Sequence, residues 1–128
     1  MGNIITSILG ETVSNASFAY IDTVDGKLYK AVNSDISKQA TCYIAIGGSS
    51  GDFAQAYLDG IVNSDLEGWV GSPIYLSDTP GIATTTAPAS PQKLGSILPD
   101  SKISLSISQK TELTSYGSIS PAASFFKI

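Results

Sequence analysis

Carboxylates are the chemically capable groups of this chain. Asp35, Asp52, Asp59, Asp65, Glu67 and Asp78 crowd its middle. Two carboxyl groups flanking a sugar can work as acid and base, or acid and nucleophile, on a glycosidic bond. Most of these six stand beside Gly, Ser, Asn or Pro, where a carboxylate ordinarily accepts hydrogen bonds from a turn and stays in water. Turn capping is therefore the expected role, and a carboxylate-dependent glycosidase the weaker one. The same stretch would have to furnish any cation site. Asn33-Ser34-Asp35 and its later echo Asn63-Ser64-Asp65 offer oxygen ligands, but neither has the spacing of a calcium loop. No metal ligand and no cofactor is expected.

The remaining reactive types are few. Gly47-Gly48-Ser49-Ser50-Gly51 follows an apolar run, as phosphate cradles do, yet it lacks the lysine and the following helix of such a cradle. A flexible loop is expected there. Cys42 is the single cysteine, so no intrachain disulfide exists, and with no base beside it a buried core thiol is expected. Trp69, with Tyr57 or Tyr75, could stack against a sugar; a lone tryptophan between glycine and valine fits core or interface better. Asn15-Ala16-Ser17 forms a glycosylation sequon, and Met1-Gly2 with Thr6 fits the loose myristoylation pattern without a basic patch to support it. The first residues lack a charged segment and a long apolar core, so no signal peptide is expected, and no apolar run approaches membrane-crossing length.

Composition narrows the field further. The chain has 128 residues, no histidine, and seven positive residues that are all lysines. Without histidine there is no imidazole base or imidazole metal ligand. Without arginine there is no bidentate fork for phosphate or guanine. A net charge of −4 opposes attraction to nucleic acid or to an anionic membrane. Hydrophobic residues at 42% and charged residues at 14% describe a chain that folds, as a single domain at this length. Non-enzymatic work is expected.

The elements that position these residues read as β throughout, with short Ile-, Val-, Tyr- and Thr-rich runs between Gly, Pro, Asn and Asp clusters. Strands are expected at Ser17–Ile21, at Lys27–Val32 after an Asp25-Gly26 hairpin turn, and at Ala40–Ile46. Residues 53–62 also fit a short helix, with strand preferred because Gly60 and Val62 suit it better. Trp69–Gly71 leads through Pro73 into Ile74-Tyr75-Leu76. Thr79-Pro80-Gly81-Ile82 has proline and glycine placed for a type II turn. Strands follow at Ile82–Thr86, Lys93–Leu98 and Lys102–Ser108, with a proline-bearing loop at Ala87–Gln92 and a Pro99-Asp100 turn. Lys102–Ser108 alternates strictly, with Ile103, Leu105 and Ile107 expected inside. Val32-Asn33-Ser34-Asp35-Ile36 recurs thirty residues later as Val62-Asn63-Ser64-Asp65-Leu66. That echo reads either as a duplicated strand-turn-strand unit or as convergent turn chemistry.

Several of these segments carry a resemblance. Asp25-Gly26-Lys27-Leu28-Tyr29-Lys30-Ala31, the strand Ala40–Ile46, Leu58-Asp59-Gly60-Ile61-Val62, the hairpin from Gly71 to Ile82, Lys93–Leu98 and the Ile103-Leu105-Ile107 strand are similar, in that order, to small β modules of tailed bacteriophages. Such modules occur in capsid decoration (cement) proteins, head fibres and tail-fibre segments. Tyr75-Leu76-Ser77-Asp78-Thr79-Pro80-Gly81 is the most specific part, and the likeness covers about two thirds of the chain.

The resemblance implies a structural virion protein on the outer capsid surface, partnered by the major capsid protein and by itself as a homotrimer. A short head- or tail-fibre module that recognises host glycan is the alternative. The expected architecture is all-β: a small antiparallel β-barrel or sandwich (residues 17–109) with an N-terminal arm (1–16) and a C-terminal arm (110–128). Ile4, Ile5, Ile8 and Leu9 in the first arm, Trp69 in the core domain, and Phe125 and Phe126 in the last arm are the candidate interface residues.

Overall fold

A computed structural model describes residues 3–64 and 66–108. Among the described residues ten strands form two antiparallel sheets of five. The first holds β1 (Ile4–Ile8), β2 (Ser17–Ile21), β3 (Leu28–Lys30), β4 (Cys42–Ile44) and β5 (Phe53–Tyr57) in the order β1-β5-β4-β2-β3. The second holds β6 (Gly60–Asn63), β7 (Pro73–Leu76), β8 (Ala83–Thr84), β9 (Lys93–Leu98) and β10 (Lys102–Leu105) in the order β6-β10-β9-β7-β8. The all-β expectation holds. Each half of the chain makes its own sheet, and the second strand order is the first with every number raised by five. The hairpins β2–β3 and β7–β8 correspond pair for pair at a spacing of 55: Tyr20 opposite Tyr29 and Ile21 opposite Leu28 match Tyr75 opposite Thr84 and Leu76 opposite Ala83. The fold is one five-strand unit used twice.

The thirty-residue echo is not that repeat. Val62 lies within β6 whereas Val32 lies outside any strand, and Leu76 is buried where its supposed partner Ile46 is exposed. The shared Asn-Ser-Asp letters reflect turn chemistry: Asp35 caps a short 3-10 turn at Ile36–Lys38, and the Ser64 hydroxyl accepts from the Leu66 N–H.

The first sheet curls on itself. The Gly10 N–H donates to the Leu28 carbonyl at 2.8 Å, and a parallel bridge between Leu9 and Leu28 brings the end of β1 round to β3. Leu9, Val13, Ala19, Leu28, Cys42, Ile44, Ala54 and Ala56 fill the curl. Alanine and cysteine dominate β2, β4 and β5 on this side because a tight curl leaves little room for larger groups. On its other face Phe18 and Tyr43, with ring centroids 4.9 Å apart, pack on Ile74, Leu76, Leu94, Ile97, Ile103 and Leu105 of the second sheet. A strand covered on both faces loses its alternation, which is why Cys42-Tyr43-Ile44 reads as one apolar run.

Three expectations are corrected here. Ile4–Ile8, within the expected 1–16 arm, are part of the first sheet, because β1 pairs along its whole length with β5, from Ile4 opposite Tyr57 to Ile8 opposite Phe53. Leu9 (1% exposed) and Val13 (3%) belong to the core. Residues 53–62 are not one strand: β5 ends at Tyr57, the chain crosses between sheets at Leu58-Asp59, and β6 begins at Gly60. The glycine-rich segment 47–51 is pinned rather than loose, since Gly48 and Val13 exchange both backbone bonds at 2.9 Å and the Gly51 N–H donates to Leu9.

The type II turn is present. Ile82 N–H reaches the Thr79 carbonyl at 3.1 Å, and Gly81 has φ +80°, the left-handed value this corner requires. The turn also couples the sheets, because Gly81 N–H donates to Ala31 at 2.7 Å and its carbonyl accepts from Phe18 at 2.9 Å. Ile82 is spent in the turn, so β8 is shorter than expected. β10 ends at Leu105, short of the expected Ser108; Ile103 and Leu105 within it are buried, and Ile107 beyond it packs partly against the same core. Residues 109–128, with Phe125 and Phe126, lie outside the described residues.

Candidate functional site

The carboxylates disperse. Asp35 accepts from the Ser37 hydroxyl at 2.6 Å and the Ser37 N–H at 2.9 Å, and these bonds hold it below the usual carboxylate range. Asp52 accepts from Ser49 N–H at 2.9 Å, and Asp59 accepts from the backbone and side chain of Asn3. Glu11 accepts from Lys30 N–H at 2.8 Å and so covers a backbone donor of β3. Glu67 and Asp78 are exposed, and Asp65 lies outside the described residues. Among the described residues no three His, Cys, Asp or Glu converge as metal ligands. Asn33 is buried in a network of its own: its side chain donates to the Ala89 carbonyl at 3.3 Å and accepts from Gln92 N–H at 3.2 Å.

A second acidic cluster surrounds two stacked tyrosines on β2 and β3. The Tyr20 and Tyr29 rings lie 5.9 Å apart at 27°. Tyr29 donates to Asp25 at 2.7 Å, which pushes its hydroxyl up to about 12. Asp25 is held low, first by the Lys27 N–H and then by that hydroxyl. Tyr20 is raised by burial and then by Asp22, Glu11, Asp35 and Asp25. These bonds shape a hairpin. Cys42 is buried as expected, and burial pushes its thiol up to about 11, so it is a poor nucleophile.

Gln92, expected only as the end of a loop, is the principal buried polar side chain. It is 1% exposed and behaves like a short piece of strand. Its amide oxygen accepts from Ala40 N–H at 2.8 Å, and its amide nitrogen donates to the Ala40 and Ser108 carbonyls, each at 2.8 Å. Its own carbonyl takes the Leu76 N–H at 3.0 Å. One side chain thus ties the run into β4 to the second sheet.

Several large apolar side chains also face solvent. Trp69 is 86% exposed and Val70 64%, on a turn closed by the Ser72 N–H to the Trp69 carbonyl at 2.9 Å. That turn is fastened to β9 by Gly71 N–H to Ile97 at 2.8 Å and Ile97 N–H to Ser72 at 2.9 Å. On the first sheet, Phe53 (75% exposed) and Ile46 (76%) line a cleft of about 230 Å³ with Ala45, Gly47, Ala54, Gln55 and Tyr57. Ile4 and Ile8 lie opposite Tyr57 and Phe53 and extend this apolar face, while Ile5 packs on the inner cluster.

Of the expected interface residues, then, Trp69 and Ile4 are exposed, Ile5 and Ile8 are half-buried, and Leu9 is core. Phe53 and Ile46 escaped the sequence reading. The alternation Phe53-Ala54-Gln55-Ala56 was the available signal, since a curl that takes both alanines must turn the phenylalanine outward. Among the described residues the ring pairs are Phe18–Tyr43 and Tyr20–Tyr29, and neither includes Trp69. No family model matches the chain, and no curated protein is significantly similar to it.

Proposed function

We propose that this chain is a structural virion protein: a capsid decoration (cement) protein that sits as a homotrimer on the outer face of the major capsid shell. The observation that carries the reading is a stiff two-sheet body that presents Trp69, Val70, Phe53 and Ile46 to water from hydrogen-bonded turns and strand ends. Large apolar groups on rigid supports are what an external clamp uses, because burying them is worth roughly 25 cal/mol per Å² and little ordering entropy is lost. The Tyr75–Gly81 hairpin, the most specific part of the resemblance, ties the sheets together and so accounts for stiffness. Net charge −4 favours a protein partner over nucleic acid or an anionic membrane.

Co-sedimentation tests the proposal. The purified chain is expected to bind saturably to expanded shells of the phage that encodes it and to raise their disruption temperature. Shells that neither bind it nor gain stability would overturn the reading.

The 86% exposure of Trp69 also favours the second reading, a fibre module that stacks on host glycan. A glycan array probed with the parent and a Trp69→Ala variant separates the two. Equal binding by both would remove the case for glycan.

A further inference from the structure

We propose that the groove between residues 66–70 and the β9–β10 hairpin binds a neutral oligosaccharide, with the Glu67 and Asp100 carboxylates accepting from its hydroxyls. The inference rests on the glycan reading above for its ligand class, and it places the site.

The groove is built on fixed backbone. It measures about 550 Å³, inside the ~300–1,000 Å³ of small-molecule sites. The Ser64 N–H donates to the Ser101 carbonyl at 2.9 Å and carries the β6–β10 pairing on to the hairpin tip. Opposite, Gly68 rests directly on β9, since a Cβ there would stand 2.5 Å from Ile97 Cδ1 and 3.1 Å from Thr85 Cγ2. Gly71 and Ser72 fasten the same segment to Ile97. A site held in this way loses little freedom when it is filled.

Its lining sorts ligands by charge. Glu67 and Asp100 are exposed, and neither carboxylate takes a hydrogen bond or an ion pair from the described residues. An anion would meet both of them. A cation would meet the Lys102 ammonium, which lies 3.5 Å from the Asp100 carbonyl. A peptide brings carbonyls that need donors, and the only side-chain donors in the lining are the Ser64 and Ser101 hydroxyls. A neutral sugar meets none of these objections. Its hydroxyls donate to carboxylates, and its C–H faces pack on Leu66, Val70 and Pro99.

The hairpin tip keeps its side chains against backbone preference. Asp100 (φ +65°) and Ser101 (φ +57°) are consecutive left-handed residues, where glycine is the unstrained choice. Strain of this kind gathers at ligand sites. Trp69, the single tryptophan, stands between the lining residues Gly68 and Val70 and is 86% exposed, so a bound sugar can stack on it.

Calorimetry with short dextran, mannan and galactan oligosaccharides tests the site, with Trp69 emission followed in the same titrations. At least one of these sugars is expected to bind saturably and to shift that emission. Glu67→Gln and Asp100→Asn should each weaken binding about tenfold, the loss that goes with one hydrogen bond to a charged group. Asp100→Gly should weaken it as much while melting no lower than the parent, because glycine relieves the turn. Asp78→Asn, at an exposed carboxylate outside the groove, should bind as the parent does.

Binding lost in Trp69→Ala yet kept in Glu67→Gln, Asp100→Asn and Asp100→Gly would overturn the groove and leave the glycan reading standing. Equal weakening by Asp78→Asn would do the same. Heparin or polylysine bound more tightly than every neutral sugar would overturn the ligand class. A parent that binds none of these sugars, and no neutral glycan of an array, would overturn the site and the glycan reading together and leave the capsid role untouched.

Discussion

Removing the Gln92 amide should cost more than any other single polar change in the described chain. Gln92→Leu keeps the bulk of the side chain but deletes its three 2.8 Å hydrogen bonds. The N–H and carbonyl of Ala40, a fully buried residue, lose their partner. Each orphaned group costs about 1–3 kcal/mol. Ser108 is exposed, so its carbonyl can turn to water. The more apolar side chain returns about 1 kcal/mol. The net loss is about 3 kcal/mol, a large part of the ~5–15 kcal/mol a domain has. At about 4 °C per kcal/mol for this size, the melting temperature should fall by roughly 12 °C.

Gln92→Glu sharpens the test. As a carboxylate it can still accept from Ala40 N–H, but its other oxygen faces two carbonyls and must be protonated to bond with them. Its folded pKa is therefore raised above the unfolded value of about 4.3. Stability from this group is fully present below that unfolded value and is lost as pH rises through the folded one. Urea unfolding of the parent and both variants at pH 4 and pH 7 reads this directly. Gln92→Glu should lie close to the parent at pH 4 and well below it at pH 7, with Gln92→Leu low at both. A leucine variant within about 1 kcal/mol of the parent, or a glutamate variant with no added pH dependence, would refute the reasoning.

Three further outcomes are expected. Cys42, buried and pushed up to about 11, should resist a thiol reagent at pH 8 in the folded protein and react fully in denaturant; prompt native labelling would contradict the packing. At Gly95, a Cβ would stand 1.9 Å from the Ser104 carbonyl oxygen, so Gly95→Ala should separate β9 from β10 and yield little soluble protein. A well-folded Gly95→Ala variant would disprove that close approach. One tyrosine should ionise near pH 12 in an ultraviolet titration and return toward 10 in Asp25→Asn, because the Tyr29–Asp25 bond favours the neutral phenol. The sign follows: the Tyr29 contribution to stability is intact below pH 10 and lost toward 12, whereas the Asp25 contribution is intact above its unfolded pKa and lost as acid protonates it.

Much of the β framework is legible in the residues, because alternation and turn chemistry are local. Ile103 and Leu105 inside β10, and Thr79-Pro80-Gly81 as a type II turn, follow from a few neighbouring side chains. β1 is not legible in the same way. Ile-Ile-Thr-Ser-Ile has no clean alternation, because one of its faces packs in the curl and the other is an apolar surface, so it resembles an adhesive end. The duplication was present at a spacing of 55 in this segment, with Tyr20-Ile21 and Gly26 set against Tyr75-Leu76 and Gly81. Gly26 and Gly81 share positive φ values of 72° and 80°. The louder Val-Asn-Ser-Asp echo concealed it, since turn letters recur without common ancestry. Gln92 could not be found from neighbours at all. A glutamine after two prolines reads as loop, and its partners lie 52 and 16 residues away. Trp69 was legible as a lone aromatic suited to an interface, while the cleft built from Ile46 and Phe53 across a turn required the folded sheet.

The most direct test of the proposed role is electron cryo-microscopy of expanded shells assembled with and without this chain. The account predicts added density on the outer surface at threefold or quasi-threefold positions, three copies to a cluster, present only when the chain is supplied. Identical shells in the two preparations would contradict it.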